Sequence, residues 1–200
     1  TGAGLKSLSG SAKVVAAGVA GVAVAAAATT VAMVALANKA AAFAREIKVA
    51  SQLSGMATEK LQLMAYATTT VGIGIEDLGD KFKDSREKVG DFLNTGGGGF
   101  MDFVDAMKLT KKEAEAVANE FKHLSGDQIL QQMVDRMEEA GVSAVQMSHA
   151  LEGMASDTTK LIPLLKDGGR EMKSLMQAAS EVSIPLSDKD INKFINMGAS

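Results

Sequence analysis

The sequence predicts an all-α fold, and three observations carry that prediction. No stretch of alternating polarity exceeds four or five residues, so strands have no support. Three helix starts are written as capping boxes: Thr110 with Glu113, Ser125 with Gln128, and Ser143 with Gln146. Residues 14–37 form a run of 24 residues without a charge, too long for a buried strand. The expected architecture is one long apolar N-terminal helix followed by short amphipathic helices, in an elongated and oligomeric molecule.

The first element covers residues 1–55, with a candidate transmembrane stretch at 14–37. As a helix that stretch would span roughly 36 Å, against a hydrocarbon core of about 30 Å. It contains eleven Ala and seven Val but one Leu, so its insertion would be only modestly favourable. A signal peptide fits poorly, because the apolar region is too long and only Lys6 and Lys13 precede it. Lys39, Arg45 and Lys48 follow, which would place the C-terminal flank in the cytoplasm if the helix spans. Small residues at Gly18, Gly21, Val22 and Ala25 offer a face for close helix packing. Val14, Gly18, Gly21, Val22, Ala25, Val31 and Leu36 are therefore the candidate membrane-inserting or helix-packing residues. A helix apolar all round must be covered by lipid or by protein. The pattern continues through Phe43, Ile47 and Leu53 to a stop at Ser54 and Gly55, for some 40 helical residues.

Residues 56–95 change to short amphipathic helices. Thr58 is the expected cap of a helix over 59–70, which Gly72 and Gly74 close. Residues 75–93 place Leu78, Phe82, Val89 and Phe92 on one side and charges of alternating sign on the other. Gly96 to Gly99 reads as a glycine linker or hinge. No Gly-Lys-Ser/Thr follows it, so it is a poor phosphate loop.

Residues 100–200 read as a helical bundle segment. One helix, 128–140, turns Ile129, Leu130, Met133, Val134 and Met137 inward and ends at Gly141. The next carries Val145, Met147, Leu151 and Met154 inward. Pro163 and the Gly168–Gly169 pair bracket a short anchor. A helix over 171–182 and a last one from Asp188, capped by Ser187, finish the chain. The methionines of these faces read as core more readily than as an adaptable groove.

Composition narrows the chemistry. A net charge of −3 gives no general attraction to nucleic acid, so no sequence-specific nucleic-acid binding is expected. With no cysteine there is no disulfide, thiolate nucleophile or thiolate metal site. His123 and His149 lack metal-ligand spacing. The carboxylate pairs Glu138/Glu139 and Asp77/Asp80 read as solvent-facing rather than as an acid and base. No catalytic residue, cofactor, metal or small-molecule substrate is expected, and the chain is read as no enzyme. Its start at Thr1, with a small-residue leader, suggests a piece of something longer.

The run FAREIKVASQLSGMATEKLQLMAYATTTVGIGIEDLGDKFKDSREKVGDFL resembles the recurring module of tape measure proteins of tailed, siphovirus-like phages. There a helix ends at Ser-Gly, a short helix reads roughly E-x-L-Q-x-x-A-Y-A, and a glycine turn precedes an E-D-L-x-D helix. The stretch from Leu124 to Ile191, with Leu-Ile-Pro-Leu-Leu at 161–165 where the family has a Leu-Pro-Leu-Leu element, is similar to the second half of that module. The resemblance covers about Phe43 to Asn192 and departs from the pattern at the glycine run and over 100–124. It implies a virion protein of the tail tube lumen or tail tip that sets tail length and leaves ahead of the DNA, entering the host cell envelope. The implied partners are further copies of itself, a trimer by expectation, the tail tube and tail tip proteins, and the host inner membrane. A bacterial membrane-anchored helical scaffold is the alternative, and a pore-forming toxin a weaker one, since only one apolar stretch is present where a hairpin needs two.

Overall fold

A computed structural model describes residues 30–198, which form α-helices and short 3₁₀ turns with no strand among them. The helices are α1 (Thr30–Ser54), α2 (Thr58–Thr68), α3 (Ile75–Thr95), α4 (Phe100–Ala106) and α5 (Lys111–Phe121). They continue as α6 (Gly126–Glu139), α7 (Ala144–Met154), α8 (Ile162–Val182) and α9 (Asp188–Met197).

Helix ends follow local chemistry closely. At α5 the Glu113 amide donates to Thr110 Oγ1 (3.4 Å), and the Thr110 amide donates to Glu113 Oε2 (2.8 Å). The carboxyl accepts from the Thr110 hydroxyl as well, and these two bonds, hydroxyl first, hold Glu113 below its ordinary range. At α7 the Gln146 amide donates to Ser143 Oγ (3.3 Å), and at α6 the Ser125 amide donates to Gln128 Oε1 (3.1 Å). Ser187 caps α9 as expected, accepting from the Asp190 amide at 3.3 Å. α1 stops at Ser54, where Gly55 takes the left-handed conformation (φ 74°).

Several local expectations are corrected. The cap of α2 is Ala57, and Thr58 lies inside the first turn, where its hydroxyl is buried and tied to Glu59 and Asp188. α2 ends at Thr68 and tightens into a 3₁₀ turn over Thr69–Val71, where the single Thr68 hydroxyl proton lies within reach of both the Ala65 and the Ile73 carbonyls. Val145 points outward and is 80% exposed, since as the second residue of α7 it precedes the turn that meets the core. α8 is broken at Lys166–Gly169, so its continuous part is the predicted helix after the Leu-Ile-Pro-Leu-Leu anchor.

One apolar cluster joins every helix from α2 to α8, with Ala50 of α1, and so spans both sides of the glycine run. Its centre is aromatic. Phe92 and Phe100 have ring centroids 5.0 Å apart, and Phe100 meets Phe103 at 5.4 Å and Phe121 edge-on at 6.1 Å. Arg136 caps Phe121 from outside, 5.1 Å above the ring, while bonding Glu120 at 2.7 Å.

The glycine run belongs to this packing and is no free linker. Gly96 ends α3 in the left-handed conformation, and a Cβ at Gly99 would collide with the Gly153 carbonyl oxygen. The chain between α3 and α4 therefore touches the backbone of α7, a contact only glycine permits. The N-terminus of α6 meets α3 as closely: a Cβ at Gly126 would stand 2.5 Å from Phe82 Cα.

A second, smaller cluster adjoins the first at Ile75, which packs against both. Ala44 and Ile47 of α1 meet Leu186, Ile191 and Phe194, with Phe43, Ile75 and Ile195 at its edge. α9 runs antiparallel to α1 here: Asp188 bonds Thr58, Asn192 accepts from Lys48 (2.8 Å), and Gly198 closes on Ala41.

Candidate functional site

The candidate site is the apolar run and the helix it enters. Val14, Gly18, Gly21, Val22 and Ala25 lie outside the described residues. Val31 and Leu36 fall in the first two turns of α1. The last eight residues of the uncharged run, Thr30 to Ala37, are therefore already helical and continuous with the bundle. Beyond Ala37, α1 carries Lys39, Arg45, Glu46 and Lys48, so its docked half is amphipathic. No helix among the described residues is long and apolar enough to cross a membrane.

The docked half of α1 is held on two sides. Ala50 faces α3 so closely that a Cβ at Gly79 would lie 3.0 Å from Ala50 Cα, and Arg86 Nη1 donates to the Leu53 carbonyl at 2.9 Å. α9 covers Ala44 and Ile47 on the other side.

Between α1 and α3 opens a groove of about 350 Å³, lined by Arg45, Glu46, Val49, Leu53, Glu76 and Asp80. Val49 and Leu53 remain 52% and 38% exposed there. Partial burial, and then repulsion from Glu76, push the Glu46 carboxyl above its usual range. The Glu46–Glu76 encounter has no local signature in the sequence, because the two residues are thirty positions apart and meet only through the α1–α3 crossing.

The other chemical candidates are dispersed. His123 and His149 are both exposed, and His149 Nε2 lies 3.5 Å from Asp102 Oδ1 on α4. Glu138 accepts from the Asp167 amide at 3.0 Å and so secures the break in α8, while Glu139, Asp77 and Asp80 face solvent. Among the described residues no group of His, Cys, Asp or Glu is arranged to hold a metal ion. Met133, Met137, Met147, Met154 and Met172 are buried in the main core with Met176 packed against it, so they serve as interior filler. The one buried carboxylate among the described residues, Asp127 at the start of α6, is paired with Lys60 and accepts from the Ser125 hydroxyl.

Comparison with protein-family models, with curated proteins and with solved structures finds no match to this chain.

Proposed function

We propose that the chain is a segment of a tailed-phage tape measure protein, a non-enzymatic virion component of the tail tube lumen or tail tip. The observation that carries this reading is the 24-residue uncharged run at 14–37, whose last eight residues, from Thr30, open a helix docked on an amphipathic bundle. The resemblance over Phe43 to Asn192 supports it. A helix of Ala, Val and Gly is covered adequately by protein and also enters lipid at modest gain, so it suits a protein that is stored in one environment and delivered to another. In the assembled tail the chain helps set length, packed against further copies and against tube and tip subunits. On release, the apolar helix enters the host inner membrane and assists DNA passage.

Mass spectrometry and cross-linking of purified tailed-phage particles from the genome that encodes the chain test this reading. A few copies per tail, cross-linked to tube or tip protein, are expected. Permanent residence in a cell's own bilayer, with no copy in virions, would replace this function with that of a membrane-anchored scaffold. Insertion is tested separately with a peptide covering Gly10 to Lys48: partition into liposomes is expected, and retention in the aqueous phase under every condition would remove the membrane step.

A further inference from the structure

We infer that the outward face of α1 pairs with the same face of a second copy of the chain, the two helices running antiparallel about a two-fold axis. α1 is apolar on two sides. Ala41, Ala44, Ile47 and Ala50 are buried against the bundle, whereas Ala42, Val49 and Leu53 share the opposite side of the helix and stand exposed. Arg45 and Glu46 flank this outer stripe, and Val49 and Leu53 line the groove between α1 and α3. The charges indicate what covers it. Glu46, Glu76 and Asp80 rim the groove, and neither they nor Arg45 makes a hydrogen bond or ion pair among the described residues. The repulsion between Glu46 and Glu76 is therefore left unrelieved. Carboxylates beside an apolar stripe fit a helix that presents an apolar face and a cation together, and the outer face of α1, with Ala42, Val49 and Arg45, is such a helix.

The order Arg45-Glu46 sets the direction of pairing. In a parallel pair in register, Glu46 would face Glu46 and Arg45 would face Arg45, which is unfavourable. In an antiparallel pair centred between positions 45 and 46, each Arg45 meets Glu46 of the second copy, with Glu76 and Asp80 on the same groove, and symmetry repeats the contact. The same register sets Ala42 against Val49 of the second copy, a small residue against a branched one, so the helix axes can approach to about 8–10 Å. The helical part of each uncharged run, Thr30 to Ala37, then lies at an opposite end of the pair. The pairing gives the self-packing of the proposed function a surface, but it stands on α1 and its groove alone.

The absence of cysteine from the chain makes a direct test available. Ala42→Cys and Val49→Cys, both at exposed positions, are introduced singly into the full chain, mixed in equal amounts and mildly oxidised. The disulfide-linked product should be the mixed 42–49 dimer, at least about tenfold over like-with-like dimers, because a disulfide holds its two Cα atoms within about 7 Å and positions seven apart on a helix are about 10 Å apart. An excess of like-with-like dimers would mean a parallel pair, a statistical mixture would mean unspecific association through the uncharged run, and no covalent dimer would mean that the face stays free; each overturns the proposal. Adding Arg45→Glu to both variants should slow formation of the mixed dimer about tenfold, since two attractive pairs become repulsive, and adding Glu46→Arg as well should restore it. A rate that Arg45→Glu leaves unchanged, or a loss that Glu46→Arg does not repair, would overturn the pairing of charges and with it the proposed register. The helical circular dichroism of every variant should match that of the parent chain, because both charged positions face away from the core. Loss of the mixed dimer with copies still counted in virions removes this pairing and keeps the proposed function; the mixed dimer without any copy in virions does the reverse.

Discussion

The two apolar clusters of this molecule are built on different principles. In the main core, aromatic rings from α3, α4 and α5 lock together, and helices from α2 to α8 share the same interior. In the small one, two alanine-rich turns of α1 meet the apolar edge of one ten-residue helix. The first removes large side chains from water on many sides and couples its helices. The second joins fewer side chains and touches the first through Ile75, which packs against both.

The contrast breaks most sharply at Phe100. Its ring is fully buried and lies within 6.1 Å of the Phe92, Phe103 and Phe121 ring centroids, so Phe100→Ala should cost about 3–5 kcal/mol. Denaturant unfolding should show a lower midpoint for the whole helical signal. Phe194→Ala should leave that midpoint nearly in place while loosening α9. A Phe194→Ala midpoint as low as that of Phe100→Ala would mean the two clusters unfold as one.

Close backbone contact is the next test. Gly153→Ala would put a Cβ 2.6 Å from the Gly99 carbonyl oxygen and against Asp102 Oδ2, at a cost of about 1–3 kcal/mol. The effect should appear in thermal melts as one shifted transition, because α4 and α7 both belong to the main core. Gly90 gives the opposite sign. It lies within α3 with nothing inside 4 Å of an added Cβ, so Gly90→Ala should stabilise by about 0.5–1 kcal/mol through helix propensity alone. The same substitution thus sorts glycines used for contact from glycines that are incidental.

Those glycines also mark where the sequence was legible. The capping boxes at Thr110, Ser125 and Ser143 placed three helix starts correctly, because a cap is a local event within four residues. Leu78, Phe82, Val89 and Phe92 were readable as a buried stripe by the 3.6-residue period. The glycine run was different. Four glycines in a row announce freedom, and nothing local reveals that Gly99 touches Gly153, which is far away in the sequence. Val145 was misread because periodicity gives a face but not where along a helix the neighbour begins. In the candidate site the stop at Ser54 was legible, whereas the α9 cover and the Glu46–Glu76 pair were not, since each depends on a long-range crossing.

The smallest expected effect lies where the two regions adjoin, at Glu46. Burial, with repulsion from Glu76 added, raises its carboxyl pKa in the folded protein, and Asp80 on α3 adds a third carboxylate to a groove whose cation is Arg45 on α1 itself. A raised carboxylate pKa means the folded state resists ionisation that the unfolded chain accepts freely. Below the ordinary glutamate pKa of about 4.3 both states hold the proton, and Glu46 adds no pH-dependent penalty. As pH rises through the ordinary value toward the folded one, the unfolded state ionises first and stability falls; above the folded value the penalty is constant. Glu46→Gln should therefore raise the melting temperature at about pH 7, by less than Gly90→Ala does, and the gain should vanish near about pH 4. Glu76→Gln should reproduce part of that gain by relieving the repulsion. An equal Glu46→Gln gain at both pH values would assign the effect to packing of the amide, and the groove between α1 and α3 would then carry no electrostatic strain.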